Sequence, residues 1–576
     1  MKLALTVLIM LPLVFGLAPA DDRHIAKPGI PFDGNNIGGE ANAPYGPPTV
    51  SNSPGEVVGS SYYAYQTNGS TGNRISLDGS GGIHISWTKG TASGGRPRYV
   101  YYNFKDEITG EWLGETAISS ENGTGFVTQD LMAGGEAMPV YHFADAPVSY
   151  SAIAIDLFRG FGIFEEFAIP NFGIEWIWPY GVRNTTDGKI HVICADFNSN
   201  PSNYGYTFSS DDGQTWNRYT QIFATGSGPG IGSLSGTIAT SPVSAKTAIT
   251  YTLDNEYGFY DVLYFETEDG ETWNWGDPYN ITQFGPNSDM SAWTDLDCLY
   301  DYNDNLHIAY QGQAVTGDTM WIWGDVMHWS EATGHTVAGT HPSSDTCSTI
   351  NYCTCMSKMS LGVNPDNGNL YMVWADLSQN DVSAGGFSNG ELFASASADN
   401  GATWFQQVNL TNSPSPGCAP PNCDSDVWSS LAEKVDGNLH IMYVDDDDAG
   451  AEWVPQGSWT NNNVLYLSVD EGELLPLGVD EQIDLPFEFD LSQNYPNPFN
   501  ANTVINVSGD FETATLAIYD ITGRMVNNFA VDNDHRTITW DGTDTAGQPV
   551  ASGAYFYSVN VDGFGTASVK KMTLLK

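Results

Sequence analysis

The sequence predicts an all-β chain: a seven-bladed β-propeller, with six blades as the alternative count, followed by a small Ig-like β-sandwich. Two observations carry the propeller. A short strand preceded by a polar turn recurs every 50–70 residues, and an eight-residue turn motif recurs between other strands. A change of composition near residue 490 carries the second domain.

The chain begins with a secretory signal over residues 1–20: Lys2, an apolar run from Leu3 to Leu17, and an Ala18-Pro19-Ala20 cleavage site. That run is too short to span a membrane as a helix, and no later stretch reaches about 18 apolar residues. Residues 21–55 form an N-terminal extension. Val57–Tyr65 alternates like a strand and is expected to close the ring as the outer strand of the last blade, beside Val464–Ser468, which removes an exposed sheet edge.

The propeller is expected over residues 56–470. Its repeating strand reads Ile83–Trp87, Ile190–Cys194, Leu306–Tyr310, Leu370–Trp374 and Leu439–Tyr443, most copies following turns such as Asp366-Asn367-Gly368-Asn369. Weaker copies at Val140–Asp145 and Ala248–Asp254 fill the gaps. Reference positions 84, 140, 191, 248, 307, 371 and 440 are then about 51 to 69 residues apart. A unit of this length cannot bury both faces alone and must stack on its copies.

Ser209–Trp216 and Ser397–Trp404 match the pattern S-x-D-x-G-x-T-W at every fixed position, and Glu266–Trp273 is a degenerate third copy. Asp and Ser side chains bond the turn backbone, Gly permits positive φ, and Trp packs under the neighbouring blade. These strings resemble the Asp boxes of the sialidase-like propeller superfamily, where they are structural devices between third and fourth strands. The superfamily's sialidases hold substrate with three arginines and carry an Arg-Ile-Pro. Here the nearest string is Phe167-Ala168-Ile169-Pro170, with Ala in place of Arg. The resemblance implies the fold and not sialidase activity.

After a linker at 471–490, Leu491–Lys576 carries 8 acidic and 5 basic residues, so nearly all the negative charge lies upstream. Alternating Thr515–Tyr519 and Ala554–Val559 read as half-buried strands of a β-sandwich. Asn494–Asn500, Tyr519–Arg524, Trp540-Asp541-Gly542, Ser552–Tyr557 and Lys570–Lys576 together resemble the type A C-terminal sorting domain of the type IX secretion system. The resemblance implies export through that machinery by residues 491–576, and release or attachment at the cell surface.

A formal charge of −49 excludes nucleic acid and anionic membranes as partners and suits hard cations or a salty exterior. Of seven cysteines, Cys194 and Cys298 sit in apolar strands as free thiols. Cys418 and Cys423 are placed for a local disulfide, and Cys347, Cys353 and Cys355 for a second bridge with one thiol over.

His84, His191, His307 and His440 occupy one repeat position about a blade apart, so they read as packing. Just past the same strands lie Asp145, Asp196, Asp254, Asp376 and Asp445, which a propeller delivers to one rim of its top face. Trp321, Trp323, Trp453 and Trp459 belong to loops on that rim, where aromatic faces stack on sugars and carboxylates accept hydroxyl bonds. The run Asp445-Asp446-Asp447-Asp448 suits calcium, although it lacks the D-x-D-x-D-G loop. The leading expectation is an exported propeller that binds an extracellular ligand, carbohydrate before protein, at its top face. The alternatives are a glycan-active hydrolase using rim carboxylates and a structural or adhesive surface protein. No complete catalytic set is present.

Overall fold

The computed structural model describes residues 51–119, 121–144, 149–171, 173, 175–196, 203–222, 235–255, 257–316, 319–343, 345, 347–348, 354–475, 489–509, 513–520, 524–532, 535–561 and 565–575. The chain divides into two compact units, residues 1–476 and 477–576.

Seven four-stranded antiparallel sheets make up the first unit, which settles the blade count at seven. The inner strands are Ile75–Leu77, Thr124–Leu131, Trp176–Arg183, Gly236–Thr240, Met290–Tyr300, Met356–Val363 and Asp426–Leu431. Each is followed by its second strand: Ile83–Gly90, Ala137–Phe143, Ile190–Asp196, Thr247–Asp254, Leu306–Thr316, Leu370–Val382 and Asn438–Asp445. Both weak copies of the repeat are therefore full second strands. They read as nearly unbroken apolar runs because blades stack on both of their faces. Met138, Val140 and Ile153 of blade two, for example, pack with Ile190, Val192 and Cys194 of blade three. Each such side chain contributes about 1.5–3 kcal/mol.

The repeat's histidines are held inside the blades. The Nδ1 atoms of His84, His191 and His440 lie 2.7–2.8 Å from the hydroxyls of Tyr102, Tyr206 and Tyr466 on the third strands. His307 meets His328 instead, at 3.0 Å. Burial lowers the His84 and His440 pKa values and takes His191 down to about 4, so the rings stay neutral.

The S-x-D-x-G-x-T-W strings join third and outer strands. Ser209 and Ser397 donate to Asp211 and Asp399 and accept the N–H of Gly213 and Gly401. Each aspartate also takes the backbone N–H of its threonine, Thr215 or Thr403, at 2.8 Å. Trp404 reaches Thr336 of the preceding blade at 3.2 Å.

The ring closes by pairing Glu56–Ser61 antiparallel with Asn462–Asp470, with Val57 opposite Leu465 and Ser61 opposite Asn462. The outer strand of blade seven thus comes from the start of the chain. It is shorter than the alternation suggests: Val57–Tyr65 leaves the sheet after Ser61, because Tyr62 and the residues after it turn into the channel. Disulfides join Cys347 to Cys355 and Cys418 to Cys423, while Cys194 and Cys298 are buried thiols. Cys353 lies outside the described residues.

The second unit has a three-stranded and a four-stranded antiparallel sheet. Leu491, Phe499, Ile505, Leu516, Ile518, Trp540, Tyr557 and Met572 fill its core. Trp540 donates to the Thr543 carbonyl at 2.8 Å, and the Tyr557 hydroxyl accepts the Asn494 N–H at 2.7 Å. Residues of Asn494–Asn500, Trp540-Asp541-Gly542 and Ser552–Tyr557 therefore form structural corners of this unit.

Candidate functional site

The two ends of the propeller channel differ. Towards the top, five inner strands bulge, gaining residues against their partners, as between Gly125 and Thr128 or Val427 and Ser430. In four of them the third residue takes positive φ: Phe126, Trp178, Lys358 and Trp428, at 50–57°. Such values are unusual for bulky residues and persist only where surroundings over-determine them.

What surrounds them is the chain's own segment 62–73. Tyr63, Ala64, Tyr65, Gln66, Ser70 and Thr71 form no regular element, yet none is more than 2% exposed. Tyr65 packs edge-on against Trp428 and Phe126, with centroids 4.9 and 5.5 Å apart. The bulged strands and this segment bond each other in both directions. Thr71 donates to the Met359 carbonyl at 2.8 Å, and Tyr180 donates to the carbonyls of Asn68 and Ser70 at 3.0 Å. Lys358 Nζ bonds the Gly69 carbonyl (2.8 Å) and Asp295 Oδ1 (2.7 Å). Arg74 Nη2 donates to the carbonyls of Trp428 and Ser429 at 2.6 and 2.9 Å. The top of the channel is plugged.

Around the plug, Asp196, Asp376 and Asp445 occupy one register position, opposite Trp176, Met356 and Asp426 at the starts of their inner strands. Asp254 likewise ends the second strand of blade four. Asp145 and Trp453 lie outside the described residues. Position does not make all of them available: Asp196 and Asp254 are half-buried, whereas Asp376 and Asp445 are buried. Asp376 is buried against His341 (2.6 Å), whose Nε2 faces the Asp345 carbonyl at 3.1 Å. Burial opposes charge on that ring, but the bonds to Asp376 and Asp345 outweigh it and raise its pKa. Burial also raises the Asp376 carboxyl. Trp459 is a correction to the expected rim: it is 3% exposed, stacked on Tyr63 at 6.3 Å.

Trp321 and Trp323 differ. The second strands of blades five and six run 11 and 13 residues, against 7 in blades two and three. At about 3.3 Å per residue their hairpins overhang the rim by roughly 13 Å or more. Trp321 and Trp323, two apart and on one face of the blade-five hairpin, stack at 5.9 Å and 21°. Both are half-buried.

The run Asp445–Asp448 does not act together. Backbone alternation sends Asp445 towards Ser51, whose hydroxyl it accepts at 2.8 Å, and Asp446 towards the plug side, where Glu452 accepts the Ala64 N–H at 2.9 Å. Asp448 accepts the Ser458 N–H at 2.8 Å. Among the described residues no three His, Cys, Asp or Glu side chains are grouped to hold a metal ion, so a four-aspartate calcium shell is not formed. All four carboxyls are nevertheless buried. Burial, then neighbouring charges, raises Asp445 to about 6 and Asp447 to about 9.

The bottom end is open. A cavity of about 410 Å³ is lined by residues of all seven blades, among them Asn73, Gln129, Asp130, Arg183, Tyr302 and Glu433. Gln129 Nε2 and Arg183 Nε have no partner. Asp130 accepts the N–H groups of Leu131 (2.8 Å) and Arg183 (2.5 Å). Burial, and then Asp130 and Asp297, pushes Glu433 up to about 8. The repeat points only past second strands, whereas Gln129, Asp130 and Arg183 lie at the ends of inner strands, Tyr302 and Glu433 follow them and Asn73 precedes one. No local motif marks them.

Residues 499–563 match the FlgD Ig-like domain. No curated protein matches the chain in sequence. Among solved structures, the chain is similar to a polysaccharide lyase (12% identity, 71% of this chain and 92% of that one, TM-score 0.42). It is also similar to the intramolecular trans-sialidase from Ruminococcus gnavus (11%, 74% and 99%, 0.37) and to a fungal alcohol oxidase in complex with copper (10%, 90% and 100%, 0.37). These are distant likenesses. No described helix is long and apolar enough to cross a membrane.

Proposed function

We propose that this chain is an exported propeller that binds carbohydrate along the shelf formed by the overhanging hairpins of blades five and six. The observation that carries this reading is the stacked Trp321–Trp323 pair beside a plugged mouth. Trp321, stacked on a Trp323 that packs against the buried cluster, presents a sugar-stacking face at the rim, and a sealed channel favours a ligand laid across the rim over one enclosed in it. The signal at 1–20 and the sorting-domain resemblance of 491–576 support export by the type IX route, with the ligand met outside the cell.

A second reading keeps glycan hydrolysis and moves it to the bottom cavity. There Glu433 is held protonated beside Asp130, the arrangement that proton donation to a glycosidic oxygen requires. The rim carboxylates are poorer candidates, since Asp376 and Asp445 are buried and bonded.

One experiment separates these readings. The secreted protein and its Trp321→Ala variant are applied to a glycan array, and array hits are incubated with protein and assayed for new reducing ends. Binding without cleavage, weakened about ten-fold or more in the variant, is expected, in line with about 1–3 kcal/mol for one aromatic stacking face. New reducing ends favour the hydrolase. A blank array and no cleavage leave the adhesive alternative and refute both carbohydrate readings.

A further inference from the structure

Blade two departs from its neighbours at the turn between its third and outer strands, Tyr150–Asp156 and Phe164–Ala168. In blades three and six this turn is an S-x-D-x-G-x-T-W string with only small or polar residues ahead of its Trp. In blade two it reads Leu157-Phe158-Arg159-Gly160-Phe161-Gly162-Ile163. Leu157, Phe158, Phe161 and Ile163 are 48, 66, 52 and 53% exposed. Leu113 of blade one, also exposed, extends this apolar surface, because its Cδ2 lies beside Gly162.

The turn is held in shape from within. Asp156, itself buried, accepts the backbone N–H groups of Phe161, Gly162 and Ile163 at 2.8, 3.0 and 3.1 Å. Arg159 reaches back to Asp78 and, at 2.5 Å, to Glu107, so the cation at the tip is already paired. Phe158 and Phe161 meet edge to face with centroids 5.7 Å apart. Beside the tip, between blades two and three, lies a groove of about 330 Å³. Ile155, Leu157 and Phe167 give it apolar walls, and Glu136, Glu165 and Asp212 supply acids. Among the described residues none of these three carboxylates forms an ion pair.

Folded proteins rarely keep a contiguous apolar surface in water without a use for it. Charge decides among the occupants. A second copy would bring its own −49 charge against these acids, and an anionic bilayer is repelled likewise. A basic partner is drawn to the acids, and its apolar side chains can cover the phenylalanines. We propose that the Leu157–Ile163 turn and the groove beside it dock a partner protein through a segment combining lysine or arginine with large apolar side chains. The apolar side chains cover Phe158 and Phe161, and the cations meet Glu136, Glu165 and Asp212. The glycan shelf lies on blades five and six, and neither surface needs the other.

The test uses the full secreted chain and a fluorescein-labelled octapeptide of alternating lysine and leucine, followed by anisotropy in about 150 mM NaCl to screen the general acidity. Two further peptides replace leucine by serine, or lysine by glutamate. The lysine–leucine peptide is expected to bind about ten-fold more tightly than either. Phe158→Ser combined with Phe161→Ser should remove that advantage; both side chains are more than half exposed, so the fold is kept. Glu136→Gln combined with Glu165→Gln should weaken binding about three-fold. Glu331→Gln, at an exposed turn of blade five, should change nothing. Equal binding of the lysine–serine peptide overturns the proposal, because net charge alone then accounts for it. Equal binding of the glutamate–leucine peptide does so too, and marks the surface as one for lipid or a second copy. Absence of binding, or binding that survives the double phenylalanine variant, likewise overturns it.

Discussion

The two ends of the propeller channel solve one geometric problem with opposite chemistry. At the top, seven inner strands converge on a gap and the chain fills it with its own residues 62–73, aromatic rings outside and hydrogen bonds inside. At the bottom the gap stays open, lined by carboxyls that neutral amide donors satisfy: Asp130 takes two backbone N–H groups and Glu433 the Asn73 side chain. Cations sit where the strands bulge: Lys358 and Arg74 meet turned-out carbonyls and Asp295. The difference teaches that channel width alone does not locate a site. A sealed mouth pushes recognition outwards onto hairpins, and an open one keeps polar groups unspent.

If the plug is integral, the largest loss should follow from uncoupling it electrostatically. Lys358 and Asp295 are 5% and 0% exposed at their side chains and 2.7 Å apart. Lys358→Met leaves a buried carboxylate without its counter-charge and should destabilise the protein by about 3–5 kcal/mol in urea unfolding. Adding Asp295→Asn should recover a large part of that loss. An unrecovered double variant would mean that the Gly69 bond and the contact with Trp428, 5.0 Å away, matter more than the ion pair.

Next comes the apolar part of the plug. Tyr65→Ala removes a ring wedged against Phe126 and Trp428 and a hydroxyl that donates to Asn68 Oδ1 at 2.7 Å. A loss of about 3 kcal/mol is expected. A loss under about 1 kcal/mol would show that segment 62–73 merely lies over the mouth, and the contrast between the two ends would collapse.

Much of this was legible in the sequence. The repeat at His84, His191, His307 and His440 reported second strands because face-to-face blades need apolar residues at every position. Closure by the first strand was legible because Glu56–Ser61 alternates and its partner Val464–Ser468 lacks a fourth strand. The plug was not. Tyr62, Tyr63 and Tyr65 read as strand, and only the bulges at Phe126, Trp178, Lys358 and Trp428, which no local pattern announces, make room for them. The top-face position of Asp196, Asp376 and Asp445 followed from topology alone. The burial of Asp376 and Asp445 did not, since it depends on His341, Ser51 and other residues tens to hundreds of positions away. Trp321 and Trp323 could be placed on a loop but not in a stack. Asp130 and Glu433 fall at strand ends, where an acid usually means only a solvated turn.

The smallest predicted effect bears on the open end and has a definite sign. Glu433 keeps its proton in the folded chain up to about pH 8, whereas the unfolded chain releases it near 4.5. Between those values the folded state binds more protons, so stability falls as pH rises and is level on either side. One such group contributes a slope of at most about 1.4 kcal/mol per pH unit. Asp297, raised by burial to about 7, and Asp130, raised likewise, add slopes of the same sign. Glu433→Gln carries no proton to lose. It should match the parent within about 0.5 kcal/mol near pH 5. Near pH 9 it should be more stable than the parent by about 1–3 kcal/mol, with part of the slope remaining from Asp130 and Asp297. Urea midpoints measured from pH 5 to 9 give both curves. Parallel profiles would mean that water in the 410 Å³ cavity already solvates Glu433 as it would in the unfolded chain. The bottom end would then be an ordinary wet channel rather than a reservoir of uncompensated acid.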